Sequence, residues 1–223
     1  MPITRKALLG GGAALLCALS LGGIFLSSPG LGTAPSNTPT PTISRLAPAT
    51  PVAPSAVPTA DVVVQASAPL RLKVPSIGLD GSVSEYTQEM IDENDGFDPP
   101  ELSMISWDTT IPDGLAGTDA ANTVYLYGHS WVDVAVFNDL KNLQPGAVAS
   151  ISTANGTLCY VAQKTLKLNK AGYKTNDELT NAIPNRLVLV SCYRPGGYNP
   201  DAATVQNIVV VLQLDQEKTN VGC

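Results

Sequence analysis

Two side chains in this sequence have the chemistry to work as a pair, Cys192 and His129. Cys192 follows the run Leu187-Val188-Leu189-Val190-Ser191 and stands just ahead of the turn cluster Pro195-Gly196-Gly197. An apolar run of this length reads as a buried strand, so the thiol is delivered to the rim of a sheet, where a substrate can reach it. His129, the chain's single histidine, follows a second such run, Thr123-Val124-Tyr125-Leu126-Tyr127-Gly128. A thiol becomes a good nucleophile when a nearby base or cation favours its thiolate. Imidazole is suited to take that proton and give it back near neutral pH. Two strand ends, one carrying a thiol and one an imidazole, predict a thiol enzyme.

The 223 residues are enough for one domain and a short appendage. The formal net charge of −6 and a pI of about 4.6 argue against a phosphate-binding surface, and nucleic acid is excluded as a partner. Arg5 and Lys6 precede an uncharged run from Ala7 to Leu26, which at helical rise is long enough to cross a bilayer core. Positive charge before the run and none soon after it predicts a single-pass signal anchor over residues 1–27, with the rest of the chain on the outer, cell-wall side. Residues 28–68 are rich in Pro, Thr, Ser and Ala. Such a composition buries too little apolar surface to offset its ordering entropy and predicts a disordered linker, spanning roughly 35 Å as a coil.

The folded domain is expected at residues 69–215, followed by a polar tail at 216–223. Leu70-Arg71-Leu72-Lys73-Val74 alternates as a half-buried strand does. Val148–Ser152 and Thr157–Ala162 flank Ala154-Asn155-Gly156, the best hairpin signal in the chain. Lys164–Leu168 reads as a further strand and Ile208–Leu214 as the last. Val136–Leu143 has the pattern of a short amphipathic helix, and Glu85–Asp98 and Asp177–Ala182 hold at most short helices. Many short strands with regular turns predict a closed or nearly closed β-barrel. The acidic stretch Asp92-Glu93-Asn94-Asp95-Gly96 lacks the ligand spacing of a calcium loop, and nothing in the sequence calls for a metal or another cofactor.

The cysteines allow several arrangements. Cys17 lies in the apolar N-terminal run. Within the domain, Cys159 and Cys192 can pair in an oxidising compartment, but Cys159 sits mid-strand and a buried, inert thiol suits it better. Cys223 is either a cross-link between chains or part of an unstructured terminus.

At these residues the chain resembles the sortases, cysteine transpeptidases of Gram-positive surfaces. The marks are Val74-Pro75-Ser76-Ile77-Gly78-Leu79, the Trp107-to-Gly117 approach, Tyr127-Gly128-His129-Ser130 and the Val136-Phe137-to-Gly146 segment, which is similar to the family's "F..L..L..G" pattern. Arg186-Leu187-Val188-Leu189-Val190-Ser191-Cys192 resembles its "LTLxTC" motif, with Ser191 in place of Thr. The compact opening and the Trp ahead of the His look most like the actinobacterial class E and F enzymes.

The resemblance implies an eight-stranded barrel in which Cys192 attacks an LPXTG-like sorting signal of a surface protein or pilin. An amine acceptor, a peptidoglycan cross-bridge or a pilin lysine, then releases the thioacyl intermediate. His129 serves as general acid and base. The family's essential Arg in the last strand is missing here, where the chain reads Ala203-Thr204-Val205-Gln206-Asn207-Ile208. Arg194 is the nearest replacement for holding the substrate or stabilising an oxyanion, with Gln206 as a neutral substitute. Ser191, Tyr193 and Ser130 are further candidates for substrate contact, and Trp107 and Trp131 for lining a groove.

Three rival readings stand beside this one. An L,D-transpeptidase also carries an Arg two residues after its Cys, but it needs a Ser-His-Gly run that this chain lacks. A papain-like hydrolase places its Cys before its His, at a helix start. A degenerate barrel that only binds surface peptides is the non-enzymatic alternative.

Overall fold

The computed structural model describes residues 60–199 and 201–223. The Ala7–Leu26 run and most of the expected linker lie outside these residues. Among the described residues no helix is long and apolar enough to cross a membrane.

Eight strands close into a barrel: β1 (Pro69–Val74), β2 (Leu79–Tyr86), β3 (Ile105–Asp108), β4 (Thr123–Tyr127), β5 (Val148–Thr153), β6 (Gly156–Asn169), β7 (Arg186–Cys192) and β8 (Gln206–Leu214). Around the barrel they run β1-β2-β3-β4-β7-β8-β6-β5. Pairing is antiparallel except at β2–β3 and β4–β7, where the neighbours point the same way. The parallel β4–β7 pair matters most, because it brings two C-terminal strand ends to one rim.

Alternation sorts the side chains of β4, β7 and β8 into two layers. Val124, Leu126, Leu187, Leu189, Ile208, Val210 and Leu212 fill the barrel, where Phe137, Leu140 and Leu143 join them. Tyr125, Tyr127, Val188, Val190, Val209 and Val211 form the outer face, covered by Phe97, Leu166, Leu168, Tyr173 and Leu179. With both faces buried, Leu187–Val190 has no place for a polar residue, which is why it reads as an unbroken apolar run.

Some expected elements take another form. Thr157–Ala162 and Lys164–Leu168 are one strand, β6, whose register against β8 shifts between Ala162 and Lys164, a bulge at Gln163. Val136–Leu143 is no amphipathic helix: only Leu140–Asn142 forms a 3₁₀ turn. The Phe137 N–H donates to the His129 carbonyl at 2.9 Å, and the Asn138 amide accepts from Trp131 N–H and donates to the Asp133 carbonyl. Within the segment the backbone bonds run from residue i to i−3, Asn138 to Ala135, Leu140 to Phe137 and Leu143 to Leu140, a series of tight turns and not an α-helix. The short helices α1 (Gln88–Glu93) and α2 (Asp177–Thr180) fall where expected.

The expected boundaries at Pro69 and Asp215 do not mark the limits of order. Val64 is buried, and Ser67 exchanges backbone hydrogen bonds of 2.9 Å with Ala116. A Cβ on Gly117 would stand 2.4 Å from the Ala66 Cα, so glycine is required where this strap crosses. At the other terminus the polar tail forms α3 (Gln216–Val221), capped by Asp215, whose carboxylate accepts from Lys218 N–H at 2.9 Å. The helix returns to β6, and Cys159 is bonded to Cys223. Cys159 is therefore not an inert free thiol, Cys223 is neither loose nor a cross-link to another chain, and Cys159 does not pair with Cys192. Among the described residues Cys192 is the free cysteine.

Candidate active site

The register sets the central pair. Tyr127 on β4 is abreast of Val190 on β7, and the Gly128 N–H continues the ladder to the Val190 carbonyl at 3.2 Å. One alternation further lie His129, two residues past the end of β4, and Cys192, the last residue of β7. Both belong to the outer-face rows, Tyr125-Tyr127-His129 and Val188-Val190-Cys192. Gly128 is where the chain leaves the sheet, and a Cβ there would meet Val136 and Phe137 at 2.7 and 2.8 Å.

His129 is held by the β2–β3 connection. Its Nε2 lies 2.6 Å from the Pro99 carbonyl oxygen. A carbonyl only accepts, so Nε2 carries the hydrogen, and Nδ1 is the lone-pair nitrogen of the neutral ring. Asp98 Oδ1, 3.7 Å from Nε2 on a mostly exposed side chain, adds a weak attraction for the protonated ring.

Ser130 and Ser191 brace the two strand ends from within. Ser191 Oγ is 2.8 Å from the Gly128 carbonyl and 2.8 Å from Ser130 Oγ, which is 3.0 Å from the Phe137 carbonyl. Three contacts share two hydroxyl protons. Both serines are buried and brace the loop after β4 against β7, and Ser191, expected to contact substrate, also lines the first cavity.

Cys192 and His129 lie where two cavities meet. The first, of about 430 Å³, runs over the outer face and is lined by Phe97, Tyr127, Tyr173, Val190 and Asn207. Its aromatic wall is tight: the Phe97 and Tyr127 rings stack with centres 4.2 Å apart, and the Tyr173 hydroxyl donates to Tyr127 Oη at 3.0 Å. Burial holds both phenols well above their ordinary pKa, and burial raises Tyr125 too, against the nearby Arg186. This aromatic side suits an apolar chain, while Asp95, Asp98 and Lys170 also line the cavity. The second cavity, of about 560 Å³, adds Leu102, Trp131, Arg194 and the Ala202-Ala203-Thr204 segment.

Arg194 is 7% exposed. Its Nε donates to the Ser130 carbonyl at 2.7 Å, and its guanidinium carbon lies 4.2 Å from the Trp131 ring centre and 4.8 Å from that of Tyr198. Nη1 is buried without a protein partner. Arg194, expected to reach back over the thiol, lines the second cavity together with Cys192 and His129. Tyr193 and Gln206 are directed elsewhere. Lys167 donates to Tyr193 Oη at 2.8 Å, Gln206 donates to Asn169 at 3.3 Å, and both line a third cavity that touches neither Cys192 nor His129. Trp107 is core: its indole N–H donates to the Gly114 carbonyl at 2.9 Å. Trp131 does border a cavity, as expected.

Sequence reasoning missed three contributors. Asn207 stands directly across from Cys192 on β8, and the alternation Asn207-Val209-Val211 would have placed it on the thiol's face. Lys170 lines both cavities. Pro99 orients the imidazole through its carbonyl, a backbone contact with no signature in sequence. Among the described residues no cluster of His, Cys, Asp and Glu is placed to hold a metal ion.

The arrangement can present a thiol, a neighbouring base and a cation to a carbonyl lying in an apolar groove. Among curated proteins nothing matches. Similar solved structures include sortase C-1 from Actinomyces oris (19% identity over 66% of this chain and 71% of that one, TM-score 0.47), Listeria monocytogenes sortase A (16%, 67% and 88%, 0.48) and a lid mutant of Corynebacterium diphtheriae sortase A (15%, 68% and 72%, 0.46). The family assignment does not depend on these distant likenesses. The profile described as "Sortase domain" matches residues 72–215, more than half of the chain and the whole barrel from β1 to β8, so the chain belongs to the sortase family.

Proposed function

We propose that this sortase is a cysteine transpeptidase that cuts a sorting signal through a thioacyl intermediate and joins it to an amine. The observation that carries the reading is the position of Cys192 at the end of β7 and His129 just past the end of β4, both lining the two cavities that meet there. Transfer needs room for two reactants at one thiol, and the junction offers a groove on each side.

The first cavity suits the donor, an LPXTG-like peptide whose apolar residues lie against Phe97, Tyr127, Tyr173 and Val190. The thiolate of Cys192 attacks the carbonyl of the Thr–Gly bond. His129 Nδ1 takes the thiol proton, a carbon–sulfur bond forms, the carbon–nitrogen bond breaks, and the imidazolium passes that proton to the leaving amine. The acceptor, a peptidoglycan cross-bridge amine or a pilin lysine, enters by the second cavity, loses its proton to His129 and displaces the sulfur. Arg194 holds the bound chain or the oxyanion from that cavity through its unpaired Nη1. A domain tethered outside the membrane by the Ala7–Leu26 run would meet both partners there. The compact opening and Trp107 favour the class E or F branch.

Intact mass spectrometry of the full chain mixed with an LPXTG-type peptide tests this. A peptide-sized thioester on the wild type, absent from Cys192→Ala and discharged by an added amine, is the expected result. Arg194→Ala is expected to lower its yield and Gln206→Ala to leave it unchanged. An alkylatable Cys192 that forms no adduct with any of a panel of surface-protein signals would leave the barrel a peptide-binding module.

A further inference from the structure

Three strands of the outer face end in chemistry by the same alternation. On β4 the row Tyr125-Tyr127 ends at His129, and on β7 the row Val188-Val190 ends at Cys192. On β6 the outer-face residues Leu166 and Leu168 are followed, one alternation on, by Lys170. The strands run β4-β7-β8-β6 around this face. Cys192 is abreast of Asn207, and Asn207 is abreast of Leu168. The ladder is still intact at Lys170, whose N–H donates to the Val205 carbonyl at 3.0 Å. Lys170 opens the 3₁₀ helix Lys170–Thr175 directly after β6, and it lines both cavities with Cys192 and His129.

Other described cations around the site are engaged. Lys164 is ion-paired to Glu178 at 2.6 Å, Lys167 donates to Tyr193 Oη, Lys141 donates to the Arg194 carbonyl, and Arg194 is fixed by Ser130 and two rings. Lys170 has no carboxylate within 4.0 Å among the described residues. Among the described residues the site thus holds one lysine without an ion pair, in cavities that Asp95, Asp98 and Asp201 also line, at a place where β8 offers only the neutral Asn207.

We infer that Lys170 is the cation that meets the oxyanion at Cys192, with Arg194 left to bind the chain in the second cavity. When the thiolate attacks, the carbonyl π electrons move onto oxygen, and the Lys170 ammonium donates a hydrogen bond to that oxygen. When the tetrahedral adduct collapses, the electrons return, the carbon–nitrogen bond breaks, and the ammonium keeps its protons throughout. A preorganised donor at a developing charge lowers the barrier far more than it improves ground-state binding. Before attack, the same charge favours the thiolate over the thiol.

The inference rests on the transpeptidase reading for its chemistry, but its first test does not. Alkylation of Cys192 in the full chain is followed with anionic iodoacetate and with neutral iodoacetamide. In Lys170→Met the iodoacetate-to-iodoacetamide rate ratio is expected to fall about fivefold or more at low salt, since a local positive charge draws in the anionic reagent. Lys170→Arg should restore the ratio, and the exposed Lys73→Met on β1 should leave it at the wild-type value. With the sorting-signal peptide, Lys170→Met is expected to lower kcat for acylation about 10²-fold or more with little change in KM. An unchanged ratio in Lys170→Met overturns the assignment. A reduced ratio in a protein whose wild type takes no peptide places the charge at the thiol and defeats the transpeptidase reading alone.

Discussion

The two ends of the barrel solve opposite problems with the same residue type. At one end β4 and β7 terminate, β8 begins and β6 finishes, and the cysteine there is free, beside an imidazole held by a single backbone carbonyl. At the other end β6 begins and β8 finishes, and the cysteine there is bonded to Cys223. That end is also laced by hydrogen bonds: Cys159 N–H to Thr219 Oγ1 at 3.1 Å, Asp215 N–H to the Cys159 carbonyl at 2.8 Å, and Val62 N–H to Asn220 Oδ1 at 2.8 Å. An oxidising location threatens any free thiol that has a cysteine within reach. Placing the structural pair at the far end of a closed barrel keeps Cys159 away from Cys192 while both are present.

This separation predicts that stability and reactivity can be changed independently. The largest expected effect is on stability. Cys159 and Cys223 close a loop with a sequence separation of 64, and replacing both by Ser should cost about 2–4 kcal/mol in urea unfolding. The alkylation rate of Cys192 should remain within twofold of wild type at temperatures where both proteins are folded, since nothing at the staple touches the site. A parallel fall in that rate would show that the ends are coupled and that the staple supports the site as well as the fold.

A smaller effect is expected from the opposite end. Ser191→Ala removes the hydroxyl that makes both contacts between β7 and the end of β4, and leaves a buried carbonyl at Gly128 with one partner fewer. A cost of about 1–2 kcal/mol follows, with slower acylation because the thiol and imidazole lose part of the brace between their strand ends. If Ser191→Ala lost stability with acylation intact, the brace would be packing alone.

The contrast between the ends also divides what the sequence could tell. The catalytic end was legible because alternation is local. Each outer-face row is a period-two pattern read along a single strand, and rows carried forward by two residues reach His129 and Cys192. The same rule applied to β6 and β8 reaches Lys170 and Asn207, but neither residue type draws attention without the neighbouring strand beside it. The stapled end was illegible because its partners are far apart in sequence. Cys159 and Cys223 meet only once α3 folds back, and α3 is a polar segment with one buried residue, Thr219, too little apolar pattern to predict. The strap at 60–68 was hidden by its composition, since Val64 alone makes the buried contact and its backbone bonds leave no trace in side-chain type. Val136–Leu143 misled for the converse reason. Its apolar spacing is real, with Phe137, Leu140 and Leu143 in the core, but tight turns take the place of an α-helix.

Buried phenols at the two ends allow the finest comparison. Tyr127 and Tyr173 line the groove, while Tyr160 on β6 pairs with Leu214 near the staple, and burial raises all three above the ordinary tyrosine pKa. The unfolded chain ionises these groups near pH 10, whereas the folded chain retains their protons to higher pH. The folded state therefore binds more protons, and stability falls as pH rises. The contribution is complete below about pH 10 and is lost as pH climbs through the raised folded values. Urea midpoints measured across the alkaline range should fall in the wild type and fall less steeply in Tyr173→Phe and in Tyr160→Phe. The two variants should differ at neutral pH. Tyr173→Phe removes the donor to Tyr127 Oη and should cost about 1 kcal/mol, while the Tyr160 shift has burial as its only cause, so Tyr160→Phe should be nearly neutral. If Tyr160→Phe flattens the alkaline limb and Tyr173→Phe does not, the groove phenols are reached by solvent before the barrel unfolds, and the catalytic end is the part that opens first.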